Sequence, residues 1–206
     1  MMRLGISVEG PTEREFVIHV LKPHLLMHGW DVVKPISMNG GISLRRFTEE
    51  IRCLSPQYEW VTTLYDLYKF EGREGRDASL LEHAMQAAAG AMSNLLPYVQ
   101  QHEFEALVFA NPQKLVEEFQ APKALSELNK ILIECGSPEN INHGYQTIPS
   151  RRLQRIFPKY DKVVHGALIA GKIGLPCIAA HCPRFAIWLS KLEEIGSRRA
   201  QVALPL

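Results

Sequence analysis

The chain is poor in cysteine, carries no excess of charge of either sign, and has no long unbroken apolar run. Each absence removes a class of protein. The four cysteines, Cys53, Cys135, Cys177 and Cys182, form no C-x-x-C pair and no zinc-ribbon spacing. They read as free thiols of a reducing cytoplasm, the alternative being a metal cluster of Cys177 and Cys182 with the nearby His181. Lys and Arg number 23 against 22 Asp and Glu, a net charge of +1. The chain as a whole is therefore no polycation, and any nucleic-acid binding must come from locally grouped bases. No segment is long and apolar enough to span a bilayer, so no membrane partner is expected. The start runs directly into an apolar strand rather than a signal peptide. Also missing are a G-x-S-x-G nucleophile elbow and a P-loop, since Gly171-Lys172 lacks the preceding glycine loop. His102-Glu103 is not the start of H-E-x-x-H, because position 106 is Ala.

What is present suits one globular domain, or a domain with a helical extension: 206 residues, 46% hydrophobic, 22% charged. Residues 3–8 read as a buried strand ending at Glu9-Gly10-Pro11. Thr12 and Glu15 have capping-box spacing and open a helix whose apolar face is Phe16, Val17, Val20 and Leu21. Pro23 should bend or end it. A second strand is expected over 32–36, and a helix on Leu44, Phe47, Ile51 and Leu54. A third strand over 60–65 runs into Asp66. Residues 69–77 form a polar loop, 78–96 an Ala-rich helix, and 97–101 a fourth strand leading into His102-Glu103-Phe104-Glu105. From Pro112 the pattern is helical, with breaks at Pro122, at 136–144 and at Pro158. The last helix carries Phe185, Trp188, Leu189 and Leu192. This order predicts a parallel α/β sheet over residues 1–111, with a mostly helical extension over 112–206 packed on it.

Ligands of such sheets sit beyond the carboxyl ends of the strands. Glu9, Asp66 and the Glu103/Glu105 pair all follow predicted strands, so they should gather at one edge. Clustered carboxylates repel unless a cation cancels their charge, and hard oxygen donors suit Mg²⁺ or Mn²⁺. Such ions activate water and stabilise the leaving oxygen of a phosphodiester. Glu13, one helical turn past Glu9, either points to the same edge or complements the helix dipole, the role that also suits Glu15. His102 is a ligand, a general base or a packed core histidine. Tyr68 reads as packing. Arg151, Arg152, Arg155, Lys159 and Lys162 are grouped. Arg151 and Arg155 should share a helix face, either tracking a phosphate backbone or simply solvated. Lys162 and His165 are placed to approach a scissile phosphate together.

Several motifs carry a resemblance: V-E-G-P-T-E from Val8, L-Y-D-L-Y from Leu64 and P-Y-V-Q-Q-H-E-F-E-A-L-V-F from Pro97, then T-I-P-S-R-R-L from Thr147, F-P-K-Y-D-K-V-V-H-G from Phe157 and H-C-P-R-F-A-I-W-L from His181. Over nearly its whole length the chain resembles a small bacterial family of formally unknown function in the Toprim-like superfamily. That resemblance implies a small parallel sheet flanked by helices. It also implies kinship with the Toprim nucleases that accompany ABC-type ATPases in phage defence. Glu9 and Glu13 match the two glutamates of those nucleases and Asp66 the first aspartate of their D-x-D motif, while Lys162 is similar to their downstream lysine. Tyr68 stands where the second aspartate belongs, which leaves Glu103 or Glu105 to complete the site. The expectation is a divalent-metal-dependent nuclease in which Glu9, Glu13, Lys162 and His102 are catalytic. Glu9, Asp66, Glu103 and Glu105 hold Mg²⁺ or Mn²⁺, and Arg151, Arg152, Arg155 and Lys159 bind DNA or RNA. The implied partner is an ATPase, and homo-oligomer assembly is left open. The alternative is a non-catalytic Toprim-fold subunit that binds the ATPase or nucleic acid.

Overall fold

A computed structural model describes residues 1–38, 41–142 and 147–202, and side chains as far as residue 198. It is an α/β structure built on a five-stranded sheet of order β2-β1-β3-β4, with β5 also on β3 and every pairing parallel. The strands are β1 (Arg3–Val8), β2 (Val32–Ser37), β3 (Trp60–Asp66), β4 (Leu95–Leu96) and β5 (Val99–Gln100). Both central strands, β1 and β3, are buried on both faces, as parallel strands covered by helices must be.

The helix after β1 starts at Pro11, two residues before the position its Thr12/Glu15 spacing suggested. Glu13 Oε2 accepts the Gly10 N–H at 3.0 Å, so Glu13 and not Glu15 closes the cap. Pro23 does not end this helix. Pro11–Phe16 (α1) passes through a π-helical turn, Val17–Leu21, into Lys22–Met27 (α2), and the wider turn absorbs the amide that proline lacks.

On one face of the sheet α3 (Leu44–Leu54) and α4 (Ala78–Ala89) bury Phe47, Ile51, Leu81 and Met85. The helix predicted over 78–96 stops early at Gly90, which adopts φ 72°. Leu95 and Leu96 are strand residues instead. The fourth strand is broken in two because Pro97 offers no amide. Thr63 bridges the gap: its hydroxyl accepts the Tyr98 N–H at 2.9 Å and donates to the Tyr98 carbonyl at 2.8 Å.

The other face carries α1, α2 and the C-terminal helices: α5 (Pro112–Phe119), α6 (Leu125–Cys135), α7 (Pro149–Ile156), α8 (Lys162–Ile173), α9 (Leu175–His181) and α10 (Pro183–Val202). Residues from both halves share one core, in which Leu4, Ile6 and Phe16 pack with Phe104, Phe185 and Leu192. Trp188 donates its indole N–H to Thr62 of β3 at 2.8 Å. Among the described residues no single helix is long and apolar enough to cross a membrane.

Candidate functional site

The carboxyl ends of β1 and β3 place Glu9 and Asp66 side by side, since Val8 pairs with Leu64 across the parallel ladder. Asp66 then organises the segment that follows β5. Its Oδ1 accepts the Phe104 N–H at 2.7 Å, while the Tyr68 N–H reaches the His102 carbonyl at 3.3 Å. His102 takes the left-handed φ of 67° to make this turn. The 3₁₀ helix Phe104–Ala110 is entirely buried and carries Glu105 inward. Helix α8 closes the site from the C-terminal half. It approaches closely because residue 166 is glycine: a Cβ there would lie 2.7 Å from Thr12 Cγ2 and 3.4 Å from the Phe104 ring.

Lys162 is the first residue of α8, where a cation opposes the helix dipole. Carboxylates hold it there. Its Nζ stands 3.5 Å from Asp66 Oδ2, 3.6 Å from Glu105 Oε1 and 4.0 Å from Glu13 Oε1. These are ion-pair contacts without hydrogen-bond geometry: Glu9 Oε2, Glu13 Oε1, Asp66 Oδ2 and both oxygens of Glu105 are buried with no hydrogen-bond partner. Glu13, Asp66 and Glu105 are almost wholly inaccessible to solvent.

Burial raises the Glu9 carboxyl to about 7 and the neighbouring Glu13 adds to the rise, against the pull of Lys162 and Lys69. Burial likewise lifts Glu105 to about 7, with Lys162 opposing. Asp66 is pushed well above the carboxylate range by burial, which outweighs Lys162, with Glu13 and Glu9 reinforcing it. For Lys162 burial favours the neutral amine, but Asp66, Glu105, Glu13 and Glu9 together raise its pKa. One ammonium thus faces four carboxyl groups, and burial raises the pKa of three of them. Bare oxygens of this kind are the donor set of a hard divalent cation.

Glu13 serves in both of the roles open to it, capping with Oε2 and facing Lys162 with Oε1. Glu15 lies outside the site and pairs with Arg14 and His19. Glu103 is turned to the side, where Oε2 accepts the Ser150 N–H at 2.9 Å and fixes the start of α7. The His102 ring stacks on Tyr68 at 5.3 Å, its Nδ1 buried without a hydrogen-bond partner. Burial lowers its pKa and Arg73 acts in the same direction, partly opposed by Glu103. Tyr68 is itself a stacking residue, with the Arg73 guanidinium 5.4 Å over its ring and Asn142 bonded to its hydroxyl.

A cleft of about 710 Å³ opens beside the carboxylates, lined by Tyr68, Lys69, Glu103, Ser150, Arg151 and Lys162. The expected basic face is divided. Arg151 reaches this cleft. Arg152 is buried, its Nε donating to the Thr147 carbonyl at 2.7 Å, and Arg155 pairs with Glu127 of α6 at 2.6 Å. Arg151 and Arg155 therefore serve different surfaces despite their i,i+4 spacing. Lys159 is exposed. His165 does not join Lys162: its Nδ1 contacts the Asp161 backbone and its ring packs on Phe119. Residues 143 and 144, at the end of the expected break at 136–144, lie outside the described residues. Cys177, Cys182 and His181 make no metal-binding group among the described residues. Lys69 and Tyr160 were not foreseen. Lys69 directly follows the recognised L-Y-D-L-Y run, which could have flagged it. Tyr160 sits in the run that holds Lys159, Lys162 and His165; its hydroxyl is buried without a hydrogen-bond partner, and burial then Glu105 and Glu103 raise its pKa.

The fold is shared with solved structures. The C-terminal region of the Burkholderia pseudomallei OLD protein matches with TM-score 0.55 at 16% identity, covering 95% of this chain and 99% of that one. The C-terminal region of the Xanthomonas campestris pv. campestris OLD protein matches with TM-score 0.52 at 17% identity, covering 98% of each. At these identities the likeness is one of fold. A comparison with curated proteins finds no match. The family model described as a domain of unknown function (DUF4276) matches residues 8–193, and the chain belongs to that family.

Proposed function

We propose that the chain is a divalent-metal-dependent nuclease acting at the carboxyl edge of the sheet. The observation that carries this reading is the set of buried carboxylate oxygens without hydrogen-bond partners around Lys162, beside a cleft lined by Lys69 and Arg151. Unsatisfied buried charge is costly in a protein that does nothing with it. The Toprim resemblance and the fold shared with the OLD C-terminal regions support the same reading.

Asp66, Glu105 and Glu13 would hold Mg²⁺ or Mn²⁺, which when bound polarises a phosphodiester and acidifies water. Glu9, at about 7, is suited to take the proton of the attacking water at Oε2. Lys162 would turn from the carboxylates to the charge developing on the phosphate. Lys69 and Arg151 would seat the flanking phosphates. Glu103 holds Ser150 and thereby the edge of the cleft. An ABC-type ATPase partner and a role in phage defence rest on the resemblance alone.

The test is cleavage of plasmid DNA and of RNA in Mg²⁺ or Mn²⁺ by the full chain. Glu9→Gln should lower cleavage by about 10²–10⁴-fold with folding intact. Absence of cleavage by wild type with either metal, with and without an added ABC-type ATPase of the kind the resemblance implies, overturns the reading.

A second reading, a non-catalytic subunit, is favoured by Tyr68 in the acid position and by Lys162 occupying the centre of the carboxylates. It predicts that Glu9→Gln leaves biological activity unchanged.

A further inference from the structure

A second group of metal-ligating side chains lies away from these carboxylates, between α2 and α10. His24 Nε2 is 2.6 Å from Glu193 Oε1. The His24 ring on α2 and the His28 ring at the helix's C-cap, four residues on, lie 4.2 Å apart at 35°. One ligand atom from each of His24, His28 and Glu193 falls within 4.8 Å of the other two. His28 Nδ1 contacts the His24 carbonyl at 2.8 Å, which makes it the protonated nitrogen and leaves Nε2 as the ligand atom.

The frame is rigid where the ligands meet. Gly29 and Gly196 bring the end of α2 against the α10 backbone so closely that a Cβ on either would strike the other segment's carbonyl. The Trp30 indole N–H donates to the Leu192 carbonyl at 2.9 Å, one residue before Glu193. All three ligand side chains are partly exposed, so an ion has a route in.

We propose that His24, His28 and Glu193 form a second metal site, for a borderline divalent cation such as Zn²⁺. Two imidazole nitrogens and one carboxylate select zinc, cobalt or nickel over Mg²⁺. Three protein ligands leave the fourth position to water. Tetrahedral ligands about 2.0–2.1 Å from zinc stand about 3.3 Å apart, so His24 and Glu193 need part only slightly. The ion would staple α10, whose Phe185 and Trp188 pack in the core, to the helix that begins after Glu9 and carries Glu13. The site does not depend on the nuclease reading.

The full chain, stripped by chelator, is titrated with ZnCl₂ by calorimetry as wild type, Glu105→Gln, His28→Gln and Glu193→Gln, with folding followed by circular dichroism. The expected result is zinc binding, with a rise in melting temperature, that Glu105→Gln retains and that His28→Gln and Glu193→Gln weaken by at least about tenfold. In wild type, zinc should shift the ring resonances of His24 and His28, a readout that needs no variant to fold. Zinc binding indifferent to His28→Gln and Glu193→Gln overturns the proposal. So do unshifted His24 and His28 resonances at saturating zinc, which would leave His24–Glu193 an ordinary ion pair.

Discussion

Glu139 and Glu105 are buried to nearly the same degree, at 3% and 0% exposure, and their surroundings are opposite. Glu139 sits at the start of α10, where its two oxygens accept the N–H groups of Arg184 and Phe185, each at 3.0 Å. The helix leaves those amides without intrahelical partners, and the glutamate answers both. Glu105 sits at the carboxyl edge of the sheet and accepts no hydrogen bond at either oxygen. The same side chain thus completes the fold in one place and leaves it incomplete in the other. A buried acid that is satisfied belongs to the architecture. A buried acid that is not satisfied, in the company of Asp66 and Glu13, is the feature on which the proposed metal site rests.

Exchanging the two roles gives the largest effects. Glu139→Ala should lower stability by roughly 2–3 kcal/mol, because two helix amides lose a charged acceptor, while leaving metal affinity unchanged. Glu105→Gln should do the reverse. Metal-free stability should stay within about 1 kcal/mol, since the buried carboxyl makes no hydrogen bond to lose, and cleavage should fall on the order of 10²-fold. Denaturant melts and cleavage assays on the two variants read both outcomes.

A smaller effect is expected where the C-terminal half meets the site. Gly166→Ala puts a methyl group 2.7 Å from Thr12 Cγ2, which should cost about 1–3 kcal/mol and shift Lys162 along with α8. Metal titration should register the shift even where the protein remains folded.

The smallest effect is on the pH dependence. Glu9 and Glu105 hold their protons to about 7 when folded and only to 4.5 at their ordinary value. The folded state therefore binds more protons between those values. The stability this contributes is fully present below 4.5 and is lost as pH rises through about 7. In chelator the melting temperature should fall between pH 5 and pH 8, to an extent that Glu105→Gln reduces and Mn²⁺ offsets.

The strands and the acids that follow them were legible because both rest on local signals. The apolar runs of β1, β2 and β3 are bounded by polar residues, and a parallel sheet sends its strand ends to one edge. What was illegible depends on distance. Nothing near Pro97 announces that Thr63 will bridge a broken strand. Nothing near Glu103 and Glu105 says that the first will turn to Ser150 and the second to Lys162. The i,i+4 spacing of Arg151 and Arg155 was read correctly as helical, yet Arg155 turns toward Glu127 on α6, a helix the spacing cannot see. His24 and His28 carry a local signal, the same i,i+4 spacing, but Glu193 lies far along the chain.

The most direct test of the carboxylate site is a crystal structure with Mn²⁺ and its anomalous signal. The account predicts an ion bound by Asp66 and Glu105, with the Lys162 ammonium displaced from the 3.5 Å it now keeps from Asp66 Oδ2. Saturating Mn²⁺ with no anomalous peak among these carboxylates, and Lys162 still in place, would contradict it.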